Sequence, residues 1–107
     1  MRILLDECVT KRLKPYLTEL EVFTVSEMKW NGIKNGKLMT LCVDNNFDLL
    51  LTIDKNLMFQ QNLDKYNLTI VVLNSSTSKI EELVLFMPSF KAQVNKLEKH
   101  KAYIIDK

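Results

Sequence analysis

The hydrophobic pattern of this chain changes its period several times. Short apolar runs rich in β-branched and aromatic residues are typical of buried strands, and such runs cover residues 3–5, 21–25, 47–53, 68–73 and 102–105. Between them, apolar residues recur every three or four positions, which predicts helices after residue 9, at about 35–46, at 57–63 and after residue 80. This alternation predicts a three-layer α/β/α domain whose mainly parallel sheet has four to five strands.

Three local signals refine the predicted helices. Pro15 lies inside the first helical pattern, so that helix should start late or kink there. Ser78 and Glu81 have the spacing of a capping box at the start of the helix that follows them. Pro88 should end that helix or begin the next one.

Composition fits one domain that spans residues 1–107. The chain is 47% apolar, which suffices for one core, and its 2 glycines and 2 prolines argue against a linker-rich or disordered protein. A formal net charge of +2 permits nucleic-acid binding without demanding it. No apolar run approaches a membrane span, and only Arg2 precedes the first strand, unlike in a signal peptide. Because Cys8 and Cys42 lie far apart, we expect two free thiols in a reducing compartment, and therefore a cytoplasmic protein.

Three carboxylates follow predicted strands at the point where each strand ends. Asp6 follows residues 3–5, Glu27 comes soon after the second strand, and Asp54 follows the third. Because carboxyl ends of parallel strands share one edge, where open α/β sheets bind ligands, these side chains should converge. Grouped carboxylates repel unless a cation neutralises them, and hard divalent cations prefer oxygen ligands. The pattern therefore predicts a metal-dependent site, and it excludes Asp48, which begins its strand at the opposite edge.

A local explanation of the same residues is that Asp6 and Asp54 each cap the helix that follows. For one acidic residue alone we would favour the cap. Three acidic residues at one edge favour a site.

Basic and aromatic neighbours suit a substrate that contains phosphate. Lys55 and Asn56 stand at a predicted helix N-terminus, where backbone amides and a cation bind phosphate. Residues 29–37, which include Trp30 and Lys34, have the composition of a flexible basic flap whose ring could stack on an unpaired base. The equally supported alternative is that Trp30 fills the core and that the lysines are only solvated.

Four short motifs, taken in order, give the chain a resemblance to a known family. They are Leu-Leu-Asp-Glu at 4–7, Val-Phe-Thr-Val-Ser-Glu at 22–27, Asn-Gly-Lys-Leu at 35–38 and Leu-Leu-Thr-Ile-Asp-Lys-Asn-Leu at 50–57. In these motifs the chain resembles the PIN-like proteins of the DUF5615 group, small relatives of the VapC-type toxins. The resemblance covers roughly residues 2–75; each motif is short, but their order is fairly specific.

This resemblance implies a PIN-like fold and a ribonuclease that depends on Mg²⁺ or Mn²⁺. It also implies a toxin–antitoxin pair with a small cognate antitoxin as partner, and it leaves room for a homodimer. Asp6, Glu27 and Asp54 match the family's acidic positions and would be its catalytic residues and metal ligands. Six further residues near these carboxylates are expected to contact the RNA: Glu7, Trp30, Lys34, Asn35, Lys55 and Asn56.

The chain departs from the family pattern at Asn35. Family members often carry an acidic residue just before the middle helix, where this chain has Asn35-Gly36. An asparagine can ligate through its carbonyl oxygen but brings no charge. The resemblance therefore implies weaker metal affinity or lower activity than in an all-acidic site.

Two other classes of protein fit part of the pattern. A response-regulator receiver domain also has an acidic pair after its first strand and an Asp after its third, and Ser75 or Ser76 could supply its hydroxyl. Against it, Lys55 and Asn56 directly follow Asp54, and the final strand lacks a clear Lys-Pro ending. A PIN-like interaction module without catalytic activity is the other alternative, and metal binding would distinguish it from both the ribonuclease and the receiver domain.

Overall fold

A computed structural model of the chain describes residues 1–60 and 62–107. Five strands form one sheet, and they are β1 (Arg2–Leu5), β2 (Glu21–Thr24), β3 (Leu49–Thr52), β4 (Thr69–Leu73) and β5 (Lys101–Ile105). They lie side by side in the order β2-β1-β3-β4-β5, and every neighbouring pair is parallel. The predicted α/β fold is confirmed, with a parallel sheet at the upper end of the expected strand number.

Three α-helices and several short 3₁₀ helices connect the strands in the part of the chain that the structure describes. The α-helices are α1 (Asn35–Asp44), α2 (Ile80–Leu83) and α3 (Met87–Gln93). The 3₁₀ helices cover Lys11–Leu17, Lys55–Phe59, Leu63–Lys65, Val84–Phe86 and Val94–Lys96. None of these helices is long and apolar enough to cross a membrane.

Hydrophobic side chains pack on both faces of the sheet in two separate clusters. On the face that we call face A, alternate strand residues pack with the 3₁₀ helix Lys11–Leu17 and with α2 and α3. On the other face, face B, the remaining strand residues pack with α1 and with Leu57 of the 3₁₀ helix Lys55–Phe59. Every residue of β3 and β4 is buried, as expected for central parallel strands covered on both sides.

Several predicted elements differ from the structure in type or in length. Residues after Val9 form a 3₁₀ helix rather than an α-helix, because Pro15 cannot donate to the α-helical ladder. The helix predicted at 57–63 is wrong: a 3₁₀ helix begins earlier, at Lys55, and ends at Phe59. Gln61, which lies inside that prediction, falls outside the described residues. Strand β3 begins only at Leu49, two residues later than predicted.

The capping box predicted for α2 is also wrong. This helix begins at Ile80, and Lys79, at its N-cap, makes no side-chain capping bond. The Lys79 amide instead donates to the Thr77 hydroxyl at 3.2 Å. Pro88 does begin the next helix, since α3 carries it in its first turn.

Candidate functional site

The three predicted acidic site residues lie at one edge of the sheet. Asp6, Glu27 and Asp54 come just after the carboxyl ends of β1, β2 and β3, which run parallel in adjacent positions. Asp48 lies at the opposite edge, as predicted, where it accepts from the backbone amide of Arg2 at 2.8 Å and from Lys99 at 2.9 Å.

The chain leaves β1 and β3 in opposite directions at this edge. After β1 it enters the 3₁₀ helix Lys11–Leu17, which packs on face A. After β3 it enters the 3₁₀ helix Lys55–Phe59, whose Leu57 packs on face B. Such a divergence between neighbouring strands opens a crevice at the sheet edge, the usual ligand position in open α/β folds. Asp6 and Asp54 stand on the two sides of this crevice.

The Asp6 carboxylate is buried and accepts hydrogen bonds from its own segment and from the end of β3. Its residue is only 8% exposed. Oδ1 accepts from the Glu7 amide at 2.7 Å, and Oδ2 accepts from the Thr52 hydroxyl at 2.8 Å. It does not cap the first helix, because that position belongs to Thr10, whose hydroxyl accepts from the Arg12 amide. The capping interpretation of Asp6 is therefore wrong.

Thr52 links the two sides of the crevice. Its hydroxyl donates to Asp6 and accepts from the Asp54 amide at 3.0 Å. Asp54 in turn accepts from the Asn56 amide through Oδ1 at 3.0 Å, and so it caps the 3₁₀ helix that follows. The capping interpretation of Asp54 is confirmed, and Oδ2 of the same carboxylate accepts no hydrogen bond within residues 1–60 and 62–107.

Cys8 completes this hydrogen-bonded cluster. Its sulfur lies 3.3 Å from the Thr52 hydroxyl oxygen and 3.7 Å from Asp6 Oδ2. The thiol donates to Asp6 Oδ2, and its sulfur also lies within hydrogen-bond distance of the Thr52 hydroxyl. Burial of the sulfur, with a smaller contribution from the Asp6 charge, raises the pKa of the Cys8 thiol. Both cysteines are free, and burial raises the pKa of Cys42 to about 12.

Glu27 is engaged by a different set of partners. Its carboxylate accepts two hydrogen bonds from Lys14, at 2.8 and 3.0 Å, and one from the Thr24 amide at 3.2 Å. The Glu27 amide donates to the Thr24 hydroxyl at 3.1 Å, which completes a reciprocal capping box. The hydrogen bond from Lys14 holds the pKa of Glu27 below its ordinary value.

The segment between β2 and α1 packs more closely than a free flap would. Glu7 Oε1 accepts from the Gly32 amide at 2.7 Å, and Gly32 has a positive φ of 77°, which glycine adopts without strain. The Trp30 ring is half-buried and lies edge to face against Phe47, with 6.0 Å between ring centroids. This agrees with the interpretation of Trp30 as core filler.

The other predicted substrate contacts lie at the start of α1 and directly after Asp54. Lys34 is exposed directly before α1, and Asn35 is the first residue of that helix, so residues 35–37 are helical and not part of a loop. Lys55 donates to the carbonyl of Ser75 at 2.9 Å, across the carboxyl end of β4. Asn56 is exposed, and only its amide contacts Asp54.

Two cavities open near this edge. The smaller, about 160 Å³, is lined by Asp6, Glu7 and Lys11 together with residues that follow β2. The larger, about 840 Å³, runs along β2 and the 3₁₀ helix Lys11–Leu17, and Glu27 lines it. Asp54 lines neither cavity, so the three carboxylates share an edge without sharing one pocket.

The donors at this edge suit a cation that keeps part of its water shell. Within residues 1–60 and 62–107, no three His, Cys, Asp or Glu side chains form a group that could hold a metal ion. Asp6 and Asp54 supply only oxygen ligands, which Mg²⁺ prefers, and Mg²⁺ is commonly held by one or two carboxylates plus waters. Their oxygens keep free lone pairs beyond the local hydrogen bonds.

Sequence reasoning missed Thr52 and Cys8 as members of this cluster. A polar residue that ends an otherwise apolar strand, two positions before Asp54, was the available signal for Thr52. No sequence spacing connects Cys8 with Thr52, which lies 44 residues away. Comparison of the chain with family models, with curated proteins and with solved structures gives no match.

Proposed function

We propose that this protein is a PIN-like ribonuclease that hydrolyses RNA phosphodiester bonds with Mg²⁺ or Mn²⁺. The observation that carries the proposal is the position of Asp6 and Asp54 just past the carboxyl ends of the adjacent strands β1 and β3, joined through the Thr52 hydroxyl. The order of the four sequence motifs supports the same family.

In this proposal, Asp6 and Asp54 would hold the cation, with Glu27 as a third carboxylate at the same edge. The cation would activate a water and neutralise charge on the scissile phosphate. Thr52 fixes the orientation of Asp6, because its hydroxyl donates to Oδ2. Glu27 would have to give up its hydrogen bonds with Lys14 and Thr24 in order to bind the cation. We therefore expect it to bind the cation more weakly than the two aspartates do.

Basic residues near the edge would balance the charge of an RNA backbone. Lys11 lines the same small cavity as Asp6, and it forms no ion pair within the described part of the chain. Lys34 directly precedes α1, and Lys55 directly follows Asp54. Contacts of this kind lower affinity as salt is raised, since bound RNA releases its counterions. A small antitoxin as partner and a location in the cytoplasm belong to the same proposal.

The direct test measures metal binding and RNA cleavage with the same protein samples. Calorimetry with Mn²⁺ should give a binding isotherm for the wild type and none for Asp6→Asn or Asp54→Asn, which remove charge at constant volume. Cleavage of unstructured RNA should fall by more than about a hundredfold in both variants, because two ligand charges support one centre.

Asp44→Asn is the matched control. Asp44 is an exposed residue at the end of α1, so this change removes a carboxylate away from the carboxyl edge of the sheet. It should leave metal binding and cleavage unchanged. Wild-type protein that neither binds Mn²⁺ nor cuts RNA would support the inactive interaction module, and protein that binds Mn²⁺ but cuts no RNA would contradict the ribonuclease proposal.

A receiver domain is the second candidate, and the sheet order 2-1-3-4-5 favours it, since phosphoacceptor folds of the doubly wound class share that order. The Ser75 hydroxyl does not fit the role, because it donates to the Thr77 carbonyl at 2.8 Å and stays within its own turn. Incubation with acetyl phosphate and Mg²⁺ would label Asp54 in a receiver domain. We expect no acid-stable or acyl-phosphate label on this protein.

A further inference from the structure

The sheet has two edge strands, β2 and β5, and their outward backbone groups differ in how far they are hydrogen-bonded. At β2, the Thr24 amide is taken by Glu27 and the Thr24 carbonyl by the Met28 amide. The capping box thus occupies the outward backbone groups at the carboxyl end of this edge. Native sheets use such devices to prevent an edge strand from pairing with another chain.

The edge at β5 has no comparable cover within the described residues. The Asn74 amide donates to the Ile105 carbonyl, so Ile105 directs its backbone groups toward β4. Because direction alternates along a strand, the N–H and C=O groups of Ala102 and Ile104 point away from β4, to the open side. On this strand of five residues, four backbone groups thus have no partner within residues 1–60 and 62–107.

Apolar side chains accompany these open backbone groups. Ile104 is 45% exposed, and by strand alternation it lies on face B with Ala102. The 3₁₀ helix Lys55–Phe59 packs against β5 on that face and carries Phe59, which is 80% exposed. An open strand edge next to exposed apolar side chains is the arrangement that recruits a further strand.

We propose that β5 pairs with β5 of a second copy of this chain, antiparallel and centred on Tyr103, to form a continuous ten-stranded sheet across a two-fold axis. At this register Ala102 of each copy lies opposite Ile104 of the other, and the four open backbone groups of one strand bond the four of its neighbour. A small residue thus faces a large one twice, which is the self-complementarity that an isologous contact requires.

Charges at the ends of β5 are compatible with the same register. Lys101 is paired with Glu98, and Lys107 with Glu82, within one copy. Among the described residues His100 and Asp106 form no ion pair, although Asp106 accepts from the Asn74 side chain and His100 Nδ1 lies 3.1 Å from the Leu63 carbonyl oxygen. The antiparallel arrangement brings His100 of each copy opposite Asp106 of the other. A short strand and one apolar patch bury less surface than the roughly 800 Å² per partner of a standard interface, so we expect a weak, reversible dimer.

The first test is sedimentation velocity of the full chain from about 10 µM to about 1 mM, where weak association is measurable. We expect the dimer fraction to rise with concentration. Ile104→Lys should raise the dissociation constant by more than about tenfold, because it places charge on the edge. The matched control is Leu85→Lys: Leu85 is 51% exposed but lies on the 3₁₀ helix Val84–Phe86, which packs on face A and not on the face that carries Ile104 and Phe59, and its replacement should leave association unchanged.

The second test fixes the register. Two residues opposite each other in a non-hydrogen-bonded antiparallel pair have Cα atoms about 4.5 Å apart, within disulfide range. In a Cys8→Ser background, Tyr103→Cys should therefore give a disulfide-linked dimer on oxidation, and Ile104→Cys should not. A protein that stays monomeric over the whole range, an Ile104→Lys variant that dimerises as well as the wild type, or equal cross-linking at both positions would overturn the proposal.

Discussion

Thr52 donates a hydrogen bond of 2.8 Å to the carboxylate of Asp6, although the two residues lie 46 positions apart in the chain. Neither side chain is accessible to more than a little water: Thr52 is fully buried and Asp6 is 8% exposed. A buried carboxylate needs such donors, because each one it loses leaves charge without compensation. The threonine therefore supports both the fold and the candidate site.

Replacement of Thr52 should separate these two contributions. Thr52→Val keeps the shape of the side chain but removes a hydrogen bond to a charged group, and we expect a loss of about 1.5–3 kcal/mol in the free energy of unfolding. Thr52→Ser keeps the hydroxyl and loses one methyl group, worth about 0.8 kcal/mol. Urea denaturation of both variants should rank Ser above Val, and the reverse order would show that the hydrogen bond contributes little.

Acid should destabilise the protein partly through Asp48. Burial tends to raise the pKa of this carboxyl, but the Arg2 amide and the Lys99 ammonium outweigh it and hold the pKa below the ordinary value. A group whose pKa is lowered by folding stabilises the protein above its unfolded pKa and loses that contribution as the pH falls through the folded one. We therefore expect the free energy of unfolding to drop as the pH decreases below about 4.

Lys99→Met provides the control for that acid dependence. Without the ammonium group, the folded pKa of Asp48 should move back toward its ordinary value, so stability should fall less steeply between about pH 5 and about pH 3. The comparison uses chemical denaturation of wild type and variant at each pH. Parallel curves for the two proteins would assign the acid sensitivity to other carboxylates, such as Glu27 beside Lys14.

The two cysteines should differ in reactivity toward alkylating reagents. Thiolate is the reactive form, and the raised pKa of Cys8 should make it slower than an ordinary exposed cysteine at neutral pH. Cys42, with a pKa of about 12 and full burial, should not react in the folded protein. Asp6→Asn should speed the reaction of Cys8 because it removes a nearby negative charge. Mass spectrometry after timed alkylation measures the rates of Cys8, of Cys42 and of Cys8 in the Asp6→Asn variant. An unchanged Cys8 rate in Asp6→Asn would contradict the expected effect of the Asp6 charge on the thiol.

Arg2 is stacked between two aromatic rings at the opposite edge of the sheet. Its guanidinium carbon lies 4.7 Å from the ring centroids of both Phe23 and Phe47. Each exposed cation–π contact is worth about 0.5–1 kcal/mol, so Arg2→Met should lower the free energy of unfolding by about 1–2 kcal/mol. The lysine ammonium has no planar face to stack on the rings. The free energy of unfolding of Arg2→Lys should therefore lie between those of the wild type and Arg2→Met.

A variant of the ion-pair partner isolates the stacking contribution. Arg2 also forms an ion pair with Glu21 at 3.0 Å, and the Glu21 side chain is about half exposed. Surface ion pairs contribute about 0–1 kcal/mol, so Glu21→Gln should have a smaller effect than Arg2→Met. Equal losses in the two variants would assign the stabilisation to the ion pair rather than to the rings.

The strands were predictable because their signal is local. Residues 68–73 are apolar almost throughout, and a strand with both faces buried must read that way. The common edge of Asp6, Glu27 and Asp54 followed from strand direction alone. Pro15 correctly marked a disturbance in the first helix, although it did not indicate that the whole segment would become 3₁₀.

Side-chain partners were not predictable, since they depend on contacts between distant segments. Lys14 lies 13 residues before Glu27, and nothing in either segment indicates that the two side chains meet. The same holds for Glu7, whose carboxylate binds the Gly32 amide 25 residues away. The position of each carboxylate along the sheet edge could thus be derived from the sequence, whereas its hydrogen-bond partners could not.

The parallel order of the strands also sets the sequence in which the sheet can form. Strands β1 and β2 pair residues that lie 19 positions apart, whereas β1 and β3 join residues 46 apart, the longest separation of the four pairings. Closing a longer loop costs more chain entropy and slows folding, so the seam between β1 and β3 should close late. Asp6 and Thr52 meet on that seam. A partly folded chain would carry both halves of the candidate site without the site itself, which would form only with the last step of folding.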